Sequence, residues 1–185
     1  FRVGPFGINH PTAIVYEPGT NVLATTWKTP TGWIVVRDAL TMGPWDHEDE
    51  ITPHTRPPAD DDADHTLVRC VECLEGTVEM QLRCEPDFDY GREPATWSLV
   101  ADDRHTADAT AGETTIRLRS SIPLGIEEET ARARHTLQQG EQAFCSLSWA
   151  EELASPKDID EANARMGETT RYWRGWLGGA RKPDH

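Results

Sequence analysis

Apolar and polar side chains alternate strictly through residues 77–85. The apolar positions are Val78, Met80, Leu82 and Cys84. A period of two predicts a β-strand with one buried and one solvent-exposed face. Pro86 ends this strand, because proline has no N–H to donate to a sheet ladder.

Strand-like patterns recur along most of the chain. They predict strands at 13–17, 22–27, 33–40, 67–74, 95–100, 114–119 and 143–149, with two shorter strands inside 124–137. Turns rich in proline and glycine separate the first three strands, which favours antiparallel hairpins. Segments 67–74 and 77–85 are predicted to pair as a hairpin across Glu75 and Gly76. Residues 1–9 are rich in glycine and proline and predict a loop.

The period changes from two to between three and four near the end of the chain. The repeating positions are Ile159, Ala162, Met166, Thr170, Trp173 and Leu177. This spacing predicts an amphipathic helix. Asp158 is its predicted N-cap, with Glu161 placed as in a capping box, and Gly178 with Gly179 stops it.

These patterns together predict a mainly β protein, an antiparallel β-sandwich of the supersandwich type with one C-terminal α-helix. Residues 1–154 form the predicted sandwich domain and residues 155–178 the helix. Within the sandwich, a long acidic surface loop is expected at 42–66. The predicted core positions are Val78, Met80, Leu82, Ile116, Leu118, Cys145 and Leu147.

The net charge of -14 over 185 residues limits the classes of partner. Nucleic acids and anionic membranes bind surfaces rich in Lys and Arg, so neither partner is predicted. No apolar run approaches the roughly 20 residues of a membrane-spanning helix. The acidic runs at 46–50 and 60–64 raise the alternative of a metal site. They lack the alternating ligands and turn glycine of a calcium loop, so a solvated charge run is favoured.

Four cysteines bear on the redox environment. Cys70 and Cys73 have the spacing of half a zinc site, but no second pair completes it. Residues three apart on a strand point to opposite faces, so these two thiols should not converge on one ion. We expect Cys84 and Cys145 to be reduced core residues as well. Reduced thiols indicate a cytoplasmic protein.

The loop that follows the strand at 77–85 is the candidate functional site. It contains Asp87, Asp89, Tyr90 and Arg92. Polar loops at strand ends frequently carry function. Arg92 offers a planar fork suited to carboxylates or sugar hydroxyls, and Phe88 is predicted to pack inward. In the alternative interpretation the loop is only a turn, in which Asp89 caps the backbone and Arg92 pairs with Asp87 or Glu93.

Five segments carry a family resemblance. They are YEPGT at 16–20, GWIVVRD at 32–38, LVR at 67–69, PDFDYGR at 86–92 and YWRGWL at 172–177. In this order they resemble the N-terminal β-domain of bacterial glycoside hydrolase family 15 proteins, the glucoamylase and trehalase relatives, with the trehalase branch the most similar.

The resemblance implies a non-catalytic β-sandwich followed by an (α/α) barrel, which lies outside this chain and carries two catalytic carboxylates. The chain would then be a piece of a longer inverting hydrolase of α,α-trehalose. Its partners would be its own downstream catalytic domain and, through the parent enzyme, a carbohydrate. Trp173 and Trp176 would belong to an interface helix, and the loop with Arg92 would contact substrate or the next domain. No catalytic residue, metal site or cofactor is assigned to this segment, and homo-oligomerisation is left open.

Two other function classes remain open at this stage. A free-standing carbohydrate-binding module could stack sugars on aromatic faces, although core packing is favoured for each tryptophan. The candidates are Trp27, Trp33, Trp45, Trp97 and Trp149. An assembly scaffold would use the acidic surface and the tryptophan-rich helix. Glycan binding by the isolated chain would separate the first class from an accessory domain of a hydrolase.

Overall fold

The computed structural model describes residues 1–42, 63–100, 104–149 and 154–178. Within these ranges it contains eleven β-strands and one α-helix. The elements are β1 Arg2–Pro5, β2 Ala13–Tyr16, β3 Leu23–Lys28, β4 Gly32–Met42, β5 Ala63–Cys84, β6 Thr96–Leu99, β7 Thr106–Ala111, β8 Thr114–Ser120, β9 Gly125–Glu127, β10 Thr130–Gln138, β11 Gln142–Ser148 and α1 Ile159–Gly178. The prediction of a mainly β fold with one C-terminal helix is confirmed.

Strand β5 belongs to two antiparallel sheets. Its first half pairs with β4 and β11 in a large sheet of order β2-β3-β4-β5-β11-β8-β7-β6. Its second half pairs with β1 and β10 in a small sheet, which β9 extends. Strands that bend from one sheet into the other are how packed sheets form corners. The two sheets therefore share one backbone.

The bend in β5 lies at Gly76. Its φ is +69°, in the left-handed region that favours glycine. A Cβ added at Gly76 would overlap the carbonyl oxygen of Thr31 and approach the Cα of Gly32 at 3.0 Å. The predicted hairpin at this point is wrong. Residues 67–74 and 77–85 do not fold back on each other, because Gly76 redirects one continuous strand into the second sheet.

A main core fills the space between the two sheets. Among the predicted core positions, the deeply buried ones are Val78, Met80, Leu82, Leu118 and Cys145. Ile116 and Leu147 are half-buried and pack against the same cluster. Phe144 points the opposite way, into a second cluster beneath α1 with Ala162 and Met166. Strand β11 is therefore buried on both faces.

The first turn of α1 is capped much as predicted. The Glu161 N–H donates to the Asp158 carboxylate at 2.9 Å. The Glu161 carboxylate accepts the N–H of Lys157 at 3.0 Å, one residue before the position a capping box uses. That hydrogen bond and the neighbouring Arg165 guanidinium hold the pKa of Glu161 below its ordinary value.

Polar side chains fix α1 to the large sheet. Arg165 donates to Asp64 of β5 at 2.9 Å and also binds Glu161. The Met42 N–H donates to the Thr169 hydroxyl at 3.0 Å. Thr169 is fully buried, whereas the predicted inward position Thr170 is only half-buried. Because an α-helix has 3.6 residues per turn, neighbouring residues point in different directions. Thr169 therefore faces the sheet, and Thr170 lies to one side of that buried face.

Three boundaries differ from the sequence predictions. Strand β1 lies inside the predicted loop 1–9, and β7 falls in a stretch for which no strand was predicted. The ends of the predicted acidic loop 42–66 are strand, since β4 ends at Met42 and β5 begins at Ala63. Residues 43–62, with most of the acidic runs and Trp45, lie outside the described residues. In the described part of the chain, no helix has the length and hydropathy of a membrane span.

Candidate functional site

The predicted site loop forms a tight turn after β5. A 3₁₀ turn spans Asp89–Gly91. The carbonyl of Phe88 accepts the N–H groups of Gly91 at 2.9 Å and Arg92 at 3.2 Å. Phe88 itself is buried in the main core, as predicted. The loop is thus anchored by one aromatic side chain, and its other side chains project outward.

Three consecutive residues of this turn have left-handed backbone geometry. The φ angles are 44° at Asp89, 58° at Tyr90 and 79° at Gly91. Glycine and aspartate tolerate this region, but a bulky residue such as tyrosine does so less readily. The Tyr90 side chain is 98% exposed. An exposed aromatic on a strained backbone is a reason to look for a function, since strain concentrates at binding and active sites.

The charged groups of the loop interact weakly with one another. The Arg92 guanidinium lies 3.5 Å from the Asp89 carboxylate, and both side chains are exposed. An exposed ion pair at this distance contributes little to stability. Asp89 is thus the local ion-pair partner of Arg92, whereas the alternative interpretation as a turn named Asp87 or Glu93. All four predicted site residues, Asp87, Asp89, Tyr90 and Arg92, are exposed, and the contact found among them is that between Asp89 and Arg92.

The tryptophan-rich part of α1 forms a chain of aromatic contacts. Tyr172 and Trp173 have ring centroids 5.2 Å apart, and Trp173 and Trp176 lie 6.0 Å apart, both in edge-to-face geometry. Edge-to-face packing suits the quadrupoles of aromatic rings. Trp173 and Trp176 are half-buried. Trp173 also lines a cavity, which the sequence did not predict.

This cavity lies between α1 and the ends of β2 to β5 and has a volume of about 520 Å³. Its lining includes Tyr16, Leu23, Asp38, Leu40, Leu67 and Trp173. The volume falls within the range of ligand and docking pockets, and apolar side chains dominate the lining, as is usual for such sites.

Asp38 on this cavity is held in an ion pair. Its carboxylate lies 3.2 Å from the guanidinium of Arg69. Arg69 also donates to the Phe1 carbonyl at 3.0 Å and covers the Phe1 ring. Burial raises the pKa of Asp38, and the charge of Arg69 opposes that shift. Because the partner of this carboxylate is the Arg69 guanidinium, the ion pair neutralises the charge of Asp38 near the core.

The candidate sugar-stacking tryptophans occupy different environments. Trp97 is buried and donates its indole N–H to the Glu129 carbonyl at 2.9 Å. Trp27 packs against the main core, with Gly4 next to its ring. Core packing is thereby confirmed for these two residues. Trp33 lies beneath the Lys28 ammonium, and Trp149 is exposed beside His65.

All four cysteines are free and buried. Cys70 belongs to the cluster under α1 and Cys73 to the main core, so the prediction that they point to opposite faces is confirmed. Burial raises the pKa of Cys70 to about 12 and that of Cys84 to about 11, and it also raises the pKa of Cys145. Among the residues that the structure describes, no three His, Cys, Asp or Glu side chains are placed to hold a metal ion.

Comparison with known proteins finds two relatives that align with the whole chain. No family model matches the chain. Over 191 aligned residues it is 44% identical to a trehalase of Mycobacterium tuberculosis and to a trehalase of Mycolicibacterium smegmatis, and both alignments cover 100% of the chain. The chain spans 28% of the length of each of these relatives. It is therefore similar to a portion of a trehalase.

Proposed function

We propose that this chain is the non-catalytic N-terminal β-sandwich domain of a bacterial glycoside hydrolase family 15 enzyme, whose parent protein hydrolyses α,α-trehalose to glucose. The main observation that supports this proposal is the 44% identity to two trehalases along the entire chain. The observed β fold with a single C-terminal helix supports it, because the family resemblance implies that architecture. Four buried free thiols support a reducing, cytoplasmic location.

In this proposal the chemistry belongs to a following (α/α) barrel. Inverting hydrolysis needs one protonated carboxyl to assist the leaving group and one carboxylate to activate water on the opposite face. Two described carboxyls of this chain with a shifted pKa do not suit these roles. Asp38 pairs with Arg69, and the ionised form of Glu161 is stabilised by the Lys157 N–H and by Arg165.

Two proteins test the proposal: the 185-residue chain alone, and the same chain with its downstream reading frame. We expect the longer protein to release glucose from trehalose and the chain alone to release none. Trehalose hydrolysis by the purified 185-residue chain would contradict the assignment of catalysis to the downstream barrel. An inactive but folded longer protein would overturn the assigned substrate. Titrating the isolated chain with trehalose and α-glucans tests the alternative, since a carbohydrate-binding module would bind glycan unaided.

We further propose that the loop with Arg92 faces the catalytic domain or its substrate. Tyr90 is almost fully exposed, and the only ion pair recorded for Arg92 among the described residues is the long contact to Asp89. A guanidinium held so loosely keeps donors available for a carboxylate or for sugar hydroxyls. Trp173 and Trp176 would contribute a second contact with that domain, from α1.

Replacing Arg92 with alanine tests the role of the loop in the parent enzyme. We expect kcat/KM for trehalose to fall at least ~10-fold, or about 1.4 kcal/mol of transition-state binding, with little change in Tm. Arg83→Ala is the matched control, since Arg83 is also exposed and pairs locally with Glu85. Wild-type activity in a folded Arg92→Ala enzyme would show that the loop is only a turn.

A further inference from the structure

Three large apolar side chains on one side of the large sheet are mostly exposed. The exposed fractions are 59% for Ile14, 64% for Tyr16 and 61% for Leu40. Single exposed apolar residues are ordinary on protein surfaces, but contiguous ones mark interaction sites. Whether these three are contiguous depends on the strand register.

The register places them on a common face. Tyr16 is opposite Leu23, which is opposite Asp38 on β4. Ile14 precedes Tyr16 by two residues, and Leu40 follows Asp38 by two. Because side chains two apart and directly opposite point the same way, all of them share one face of the sheet. Leu67 joins this face as the partner of Leu40.

This face is the one that carries the main core, but the small sheet covers only part of it. Ile34 and Val36 of β4 have the same orientation as Leu40 and are fully buried in that core. Ile14, Tyr16 and Leu40 belong to neither core cluster. We call the uncovered part, together with the cavity beside it, the open face. Its strand residues are Ile14, Tyr16, Leu23, Leu40 and Leu67. The lining of the cavity adds Trp173 of α1, a helix whose buried residues pack on the opposite face of the sheet.

The open face ends at an exposed strand edge. β2 is the terminal strand of the large sheet and pairs on one side with β3. All four of its residues have exposed side chains. An apolar edge strand left in solvent is an aggregation hazard, which proteins avoid by covering it. Among the described residues no strand pairs with the other edge of β2.

We propose that the open face is the docking surface for the remainder of the parent polypeptide, which covers Tyr16 and Leu40 with an apolar segment. This inference rests on the proposed function. The related trehalases are more than three times as long as this chain, so most of their polypeptide lies outside it. A second copy of the chain is a poorer occupant, because a net charge of -14 makes identical surfaces repel.

Thiol labelling tests the docking surface. Leu40→Cys places a reporter on the open face, and Tyr16→Cys is a second reporter. Leu74→Cys is the matched control, since Leu74 is 43% exposed and lies where β5 pairs with the start of β4, at the other end of that pairing from Leu40. The native cysteines are buried with pKa values of about 12 for Cys70 and about 11 for Cys84, so they react slowly.

Labelling rates are compared between the isolated chain and the parent protein. We expect both open-face reporters to react at least ~10-fold more slowly in the parent protein, and Leu74→Cys to change less than about 2-fold. Equal rates in the two proteins, or equal protection of Leu74→Cys, would overturn the proposal. So would protection in the isolated chain that grows with concentration, since the occupant would then be a second copy. Trehalose hydrolysis is scored separately, so an inactive parent that still protects Leu40→Cys refutes only the assigned activity.

Discussion

Replacing Gly76 with alanine should destabilise the protein by about 3–5 kcal/mol. Two separate energetic costs of the substitution add at this position, one from the backbone conformation and one from steric overlap. The φ of +69° is unfavourable for any residue with a Cβ, at roughly 1–2 kcal/mol. The new Cβ would also overlap the Thr31 carbonyl, which is backbone and cannot rotate away. The bend that carries β5 from one sheet to the other must then shift.

Gly140→Ala separates the two terms. Gly140 has a φ of +83°, but a Cβ there would meet nothing within 4 Å. Its replacement should therefore cost only the conformational term of roughly 1–2 kcal/mol. Urea unfolding of both variants measures the difference. Equal losses of unfolding free energy would show that the backbone of Gly76 is less closely packed against Thr31 and Gly32 than the structure indicates.

Leu82→Ala should lower the free energy of unfolding by about 2–5 kcal/mol. Leu82 is 2% exposed and lies in the small sheet, opposite Val3 on one side and Ala133 on the other. Truncation removes apolar contacts and leaves a cavity in the main core. Reversible denaturation measures the change, with Leu99→Ala as an exposed control expected within about 0.5 kcal/mol of wild type. A loss below about 0.5 kcal/mol for Leu82→Ala would contradict its burial.

Alternating patterns were sufficient to predict most strands, because each buries one face. Segment 77–85 illustrates this, since Val78, Met80 and Leu82 all enter the main core. β7 does not show this pattern, because its inward residues are Ala107 and Ala109, whose side chains are too small to form a recognisable apolar stripe. β1 was missed because it has only four residues, including Gly4 and Pro5, which usually indicate turns.

The two candidate surfaces differed in how far sequence could predict them. The loop with Tyr90 and Arg92 is contiguous, so its grouping was visible in the sequence. The open face combines Tyr16, Leu40 and Trp173, which lie far apart along the chain. The strand register brings Tyr16 and Leu40 together, and the packing of α1 on the sheet adds Trp173. The error at Gly76 has the same origin, because local turn propensity does not distinguish a hairpin from a strand that changes sheets.

The shared strand also sets an order of events during biosynthesis. β5 finds partners as early as β1 and as late as β11, which ends at Ser148. Neither sheet is complete until about 54 residues after the end of β5 have been made for the small sheet, where β10 ends at Gln138, and about 64 for the pairing with β11, which ends at Ser148. While the ribosome synthesises residues 85–148, β5 has not yet paired with β10 and β11, and its apolar side chains are incompletely covered. We therefore expect this chain to fold late and slowly, with chaperone binding concentrated in that interval.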